Sequence, residues 1–151
     1  TQAKKQIETE SYEQALKTLA EAYDYADEAE EPEVLFYTGL AYALLDRSGQ
    51  ALQALDEAAM EPANKLYGDY LMLKGQLLVD ALSFQDAYGA FDAYRTAYPS
   101  GGGTQLANLL AGYCAIELGN RAEARRSLDL AQRADPASDL GKKAQELLGG
   151  L

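Results

Sequence analysis

The sequence predicts an all-α fold, a solenoid of antiparallel helix pairs, on three observations. Small and large residues recur at a fixed step of about 36 residues. Turn signals fall midway inside each step, and no stretch alternates as a strand does. The 151-residue chain is 48% hydrophobic and 25% charged, with four prolines, which is the composition of a chain that buries a core.

Four positions define the repeat: a small residue, a second small one 12 later, a large apolar one 4 beyond, and a last one 3 further on. Gly39, Ala51, Leu55 and Ala58 fit it. A step of 36 gives Gly75, Ala87, Phe91 and Tyr94, and a further 37 gives Gly112, Ala124, Leu128 and Ala131. Stepping 36 backwards gives Ala3, Ala15, Leu19 and Ala22. A small residue on one helix lets a second helix approach, and the large residue fills the gap beside the contact. Tyr94 is the weak member, because the others carry Ala there.

Periodicity and breakers place helices near 2–9, 11–29, 33–46, 49–60, 64–81, 84–97, 104–118, 121–134 and 138–148. Gly119 suits a helix C-terminus, and Asn120 suits the next N-cap. Ser11 with Gln14, and Asn120 with Glu123, have capping-box spacing. Pro99 and Pro136 end helices 37 residues apart. The extra residue of the 37-residue step falls at Gly101-Gly102-Gly103, expected to be a hinge-like turn with Thr104 as N-cap. The partition is one domain over 1–151: a partial repeat 1–31, repeats 32–67, 68–104 and 105–137, and a capping helix 138–148 over the end of the stack. Thr1 to Glu10 read as the middle of a helix, so the chain is expected to be a piece of something longer.

The 24 acidic and 13 basic residues give a net charge of −11, a surface that phosphate backbones and anionic membranes repel. Nucleic acid is therefore excluded as a partner, and no apolar run reaches the length for direct membrane insertion. The acidity serves solubility, or steers basic partners. Cys114 is the single cysteine, so no internal disulfide forms and the redox compartment stays open.

The segments "GLAYALLDRSGQALQALDEAAMEP", "GQLLVDALSFQDAYGAFDAYRTAYP" and "GYCAIELGNRAEARRSLDLAQRADP" resemble tetratricopeptide repeats. The third matches best, through Gly112, Gly119, Ala124, Leu128, Ala131 and Pro136. The second departs at Leu82, where a turn glycine is usual, and at Tyr94; in the first, Pro62 comes one residue early. The family's large aromatic near the start of the first helix is Leu35, Leu71 and Asn108 here, a departure expected to matter little for the fold. The resemblance covers residues 3–148 and implies a right-handed superhelix. A narrower resemblance, carried by "FDAYRTAYPSGG" and the segment after it, is to bacterial cell-envelope members, which implies a periplasmic or envelope location.

The resemblance also implies a function. First helices of successive repeats line a concave groove, whose rows here are Phe36, Met72 and Leu109, then Leu40, Gln76 and Tyr113. Ala43, Val79 and Ile116 follow, with Leu44, Asp80 and Glu117 beside them and Glu33, Asp69 and Leu106 at the rim. The partner-binding candidates are Phe36, Leu40, Leu44, Met72, Gln76, Leu109 and Tyr113. A largely apolar groove with acidic edges suits a peptide or helix of another protein with apolar anchors and some basic residues. The alternatives are that this row is core, since residues 35–42 are apolar nearly all round, that it forms a homodimer, or that the chain is an accessory domain of a larger protein. The carboxylate-gripping type of tetratricopeptide groove is excluded, because Phe36, Leu40, Asp69 and Leu73 offer no donor.

No enzyme is expected. Histidine is absent, which removes the imidazole base and the usual triad and zinc sets. Cys114 reads as a small core residue. Asp24, Asp27, Glu28, Glu30, Glu31 and Glu33 read as a solvated helix end, with no calcium-loop spacing. Gly101 to Thr104 lacks the lysine of a phosphate-binding loop, and neither cofactor nor metal is expected. The eleven tyrosines, Tyr12, Tyr23, Tyr25, Tyr67, Tyr70 and Tyr98 among them, are expected at seams between helices.

Overall fold

The computed structural model describes residues 1–151 as nine α-helices and no strand. They are α1 (Gln2–Glu8), α2 (Tyr12–Tyr25), α3 (Glu31–Leu44), α4 (Ser48–Ala58), α5 (Tyr67–Asp80), α6 (Phe84–Ala97), α7 (Thr104–Glu117), α8 (Arg121–Ala134) and α9 (Asp139–Gly149). Two compact units result, Thr1–Tyr70 and Leu71–Leu151, with the division inside α5.

The glycines of the repeat are tight contacts. A Cβ on Gly39 would lie 2.9 Å from Leu55 Cγ. One on Gly75 would lie 2.6 Å from Phe91 Cε1, and one on Gly112 2.6 Å from Leu128 Cγ. Each pair is 16 residues apart, which is the 12 plus 4 of the sequence pattern. Leu55, Phe91 and Leu128 are completely buried, as are Ala51, Ala87 and Ala124. Dispersion and water exclusion at these repeated contacts hold the helix pairs together.

The turns inside the pairs repeat as well. Glu10, Asp46, Leu82 and Gly119 all have positive φ, at 59°, 57°, 59° and 74°. Behind each, the next N–H reaches back five residues to a carbonyl: Ser11 to Gln6, Arg47 to Tyr42, Ser83 to Leu78 and Asn120 to Ala115, at 2.7–2.9 Å. This is the left-handed cap that satisfies a helix's last carbonyls. Three of the four places lack the glycine that makes it cheap.

Several boundaries depart from the sequence expectation. The helix expected over 11–29 stops at Tyr25, because Ala26 is extended and Asp27 starts a turn. Asp27 Oδ1 accepts from the N–H groups of Ala29 and Glu30 at 3.0 Å, and Glu30 Oε2 accepts from Asp27 N–H at 3.3 Å. The acidic cluster is thus partly a capping device ahead of α3, where Glu31 and Glu33 meet the positive end of the helix dipole. The helix expected from 64 starts at Tyr67, since Asn64 Oδ1 accepts from Leu66 N–H at 2.9 Å and holds a turn. Ser11 makes no side-chain cap, and Gly103, not Thr104, is the N-cap of α7. Thr104 instead donates its hydroxyl to the Tyr98 carbonyl.

The triple glycine is braced rather than hinge-like. Tyr94 accepts a hydrogen bond from Gly103 N–H at 3.2 Å, and its ring lies 4.9 Å from that of Tyr98. A Cβ on Gly103 would come 2.5 Å from the Tyr94 hydroxyl oxygen. The odd residue at 94 and the extra residue in the turn are one feature: the tyrosine needs glycine beneath it.

Candidate partner-binding face

The predicted residues divide by burial. In unit Thr1–Tyr70, Phe36 is buried, with its ring edge-on to Tyr37 at 5.2 Å, whereas Leu40 is half-buried and Leu44 is 45% exposed. In unit Leu71–Leu151, Leu109 is core, packed with Leu128, Ala131 and Ala144. Met72 is half-buried against the Ala87–Phe91–Ala111–Cys114 cluster. Gln76 is exposed, and Tyr113 is half-buried with its ring 6.0 Å from Phe84. Phe36 and Leu109 therefore serve the core, which a helix apolar on all sides requires. The accessible face is less apolar than the sequence suggested. On α5 it carries Gln76 and, one turn on, exposed Asp80; on α7 it carries Tyr113 and exposed Glu117.

Charge is unevenly divided. Residues 1–70 hold 15 acidic and five basic side chains, a net −10, and residues 71–151 hold nine and eight, a net −1. In the first unit, a cavity of about 290 Å³ is bounded by Ala3, Leu19, Ala22, Val34, Glu33 and Tyr37. Burial first, then the negative charges of Glu33, Asp69 and Glu8, raise the Tyr37 hydroxyl above its ordinary pKa. Lys65 stands 3.8 Å from Glu33 as a loose, exposed counterion.

The second unit holds a polar network that the sequence reading missed. Arg95, only 8% exposed, donates to Glu123 Oε1 at 2.8 Å and to Asp92 Oδ1 at 2.8 Å. It also donates to Ser127 Oγ at 2.7 Å, the Tyr88 hydroxyl at 2.9 Å and Asn108 Oδ1 at 3.2 Å. Glu123 Oε1 accepts further bonds from Ser127 at 2.7 Å and Tyr88 at 2.9 Å, and Arg126 donates to Glu123 Oε2 at 2.8 Å. Burial pushes the Glu123 carboxyl up, but hydrogen bonds from Arg126, Arg95, Ser127 and Tyr88 outweigh it and hold the group far below the usual carboxylate range. No buried side-chain nitrogen or oxygen lacks a partner.

This network corrects two expectations. Asn120 does cap α8, accepting from Glu123 N–H at 3.2 Å, but the Glu123 side chain turns to Arg95 instead of closing the box. Asn108, a departure expected to matter little for the fold, is buried as Leu71 is at the matching place, and there accepts a hydrogen bond from Arg95. A signal was present: Ser127 stands where Ala54 and Ala90 stand in the other repeats, and Asn108 where Leu35 and Leu71 stand. Cys114 is fully buried, and desolvation raises its thiol to about 11. No group of His, Cys, Asp or Glu side chains forms a metal set, and no helix is long and apolar enough to cross a membrane.

The architecture recurs among solved structures. Over 98% of this chain and 78% of the other, it superposes on a MamA RS-1 double mutant with a TM-score of 0.81 at 22% identity. YrrB, described as a TPR protein with an unusual peptide-binding site, matches over 95% of this chain and 71% of its own, with a TM-score of 0.77 at 22% identity. MamA from Desulfovibrio magneticus RS-1 matches over 98% and 88%, with a TM-score of 0.77 at 21% identity. No protein-family model and no curated protein sequence matches. The chain has the tetratricopeptide-repeat fold, an all-α solenoid of helix pairs.

Proposed function

We propose that the chain is a protein-interaction scaffold that binds a peptide or helix of a partner protein. The observation that carries this reading is the divided character of the first helices of the repeats. One side of each packs into the core, while Leu40 and Leu44 on α3, Gln76 on α5 and Tyr113 on α7 keep accessible surface. The fold likeness to YrrB, described by its peptide-binding site, supports the same reading. Phe36 and Leu109 are buried and Met72 is half-buried, each within its own unit. Within the chain we assign a partial repeat 1–31, repeats 32–67, 68–104 and 105–137, and a cap 138–148.

Panning a displayed random-peptide library against the chain tests the reading. Enrichment of sequences with apolar anchors is expected, with binding lost in Leu40→Glu and Tyr113→Glu variants whose helical circular dichroism is unchanged. Affinity unchanged in both variants overturns it. A library that yields nothing, together with a dimer by light scattering, replaces it with self-association through the same residues.

A further inference from the structure

The turn between α5 and α6 breaks two rules at once. Leu82 holds a left-handed backbone at φ 59°, which crowds the Cβ of any residue but glycine. Its side chain is 74% exposed, more than any other leucine in the chain. Gly119 fills the matching place after α7, with no such cost. Glu10 and Asp46 hold the same left-handed turn with polar, exposed side chains and Gly119 with none, so Leu82 alone keeps a large apolar side chain out in solvent at this place.

The neighbourhood has a definite chemistry. Two residues on, Phe84 stacks edge-on with Tyr113, which links this turn to the accessible face of α7. Leu118, directly after α7, is 42% exposed. Asp80, Asp86 and Glu117 are exposed and form no ion pair, and Arg121 is the single cation at these two turns.

We propose that Leu82 is the apolar anchor of a docking edge on unit Leu71–Leu151, and that its occupant is a basic amphipathic segment of a partner protein. Apolar side chains of that segment pack on Leu82 and the Phe84–Tyr113 pair, and its cations reach Asp80 and Glu117. A second copy of this chain is a poor occupant, because a two-fold contact sets these carboxylates against their own copies. The proposal rests on the peptide-binding reading above and adds the partner's chemistry and a contact outside the predicted residues.

Leu82→Gly separates binding from folding, since it relieves the backbone. The probe is a helical Leu/Lys amphipathic peptide, titrated into the 151-residue chain by fluorescence anisotropy, with a Leu/Glu peptide beside it. Expected are binding of the Leu/Lys peptide that weakens with salt, no binding of the Leu/Glu peptide, and a loss of at least about tenfold in Leu82→Gly with an unchanged helical signal. Unchanged affinity in Leu82→Gly, equal binding of the Leu/Glu peptide, or no binding of the Leu/Lys peptide overturns the proposal. Tyr113→Glu discriminates further: if it abolishes binding while Leu82→Gly does not, the edge fails and the face of α7 stands.

Discussion

Arg95 and Glu123, 28 residues apart, meet at 2.8 Å with 8% and 17% of their side chains exposed. They join α6 to α8, and Arg95 also holds Asn108 of α7, so three helices share one charge pair. A pair this enclosed stabilises less than its Coulomb energy suggests, yet breaking one side is costly. Arg95→Ala leaves Glu123 with only the more exposed Arg126 as a cation, and a loss of about 3 kcal/mol is expected by urea denaturation. A double variant, Arg95→Leu with Glu123→Leu, should lose less than Arg95→Ala alone.

The pair also sets an acid limit. The folded pKa of Glu123 lies below its unfolded value, so its stabilisation is complete above the unfolded pKa of about 4.3 and fades as pH falls. The melting temperature should therefore drop as pH is lowered below about 4. In Glu123→Gln that part of the drop should be absent, with a lower plateau at neutral pH. An unchanged acid slope would assign the loss to other carboxylates.

Two glycines predict opposite outcomes of one substitution. Gly112→Ala drives a Cβ to 2.6 Å from Leu128 and should destabilise by about 1–3 kcal/mol. Gly89, exposed within α6, has nothing within 4 Å of an added Cβ, and Gly89→Ala should stabilise by about 0.5–1 kcal/mol. Thermal melts of the two variants read both signs.

Leu82→Gly should raise stability by up to about 1 kcal/mol, as release of left-handed strain exceeds the entropy that glycine adds to the unfolded chain. Leu82→Val, branched at Cβ, should lower it. A melt in which Val exceeds Gly would contradict the strain.

Cys114 should be silent while the chain is folded. With no exposed surface and a thiol raised to about 11, it should not react with a disulfide reagent at pH 8, and should react at once in denaturant. Rapid labelling under native conditions would mean that α7 opens.

Much of the fold was legible because the repeat repeats. The bounds of α6 and α8 agree with 84–97 and 121–134, since Ser83 and Asn120 start them and Pro99 and Pro136 lie just beyond their ends. The residues after Tyr25 misled, because alanine and glutamate favour helix while the Asp27 turn that interrupts them depends on one side chain. The candidate face was only half legible. Phe36 and Leu40 are equally apolar, and burial rather than residue type separates them. The Arg95 network left its mark as polar residues at Asn108 and Ser127, where the register expects apolar ones. One substitution looks like drift, and only both together with Arg95 look like a site.

The Tyr94 brace over Gly103 has a practical side. It holds the approach to α7 by one end of the turn, while Gly102 beside it is exposed and has no atom within 4 Å of an added Cβ. The extra residue of the long step is thus absorbed where no helix feels it. A fluorescent loop or an affinity tag spliced in at Gly102 should leave the neighbouring helices undisturbed, which makes this turn the natural port for a reporter.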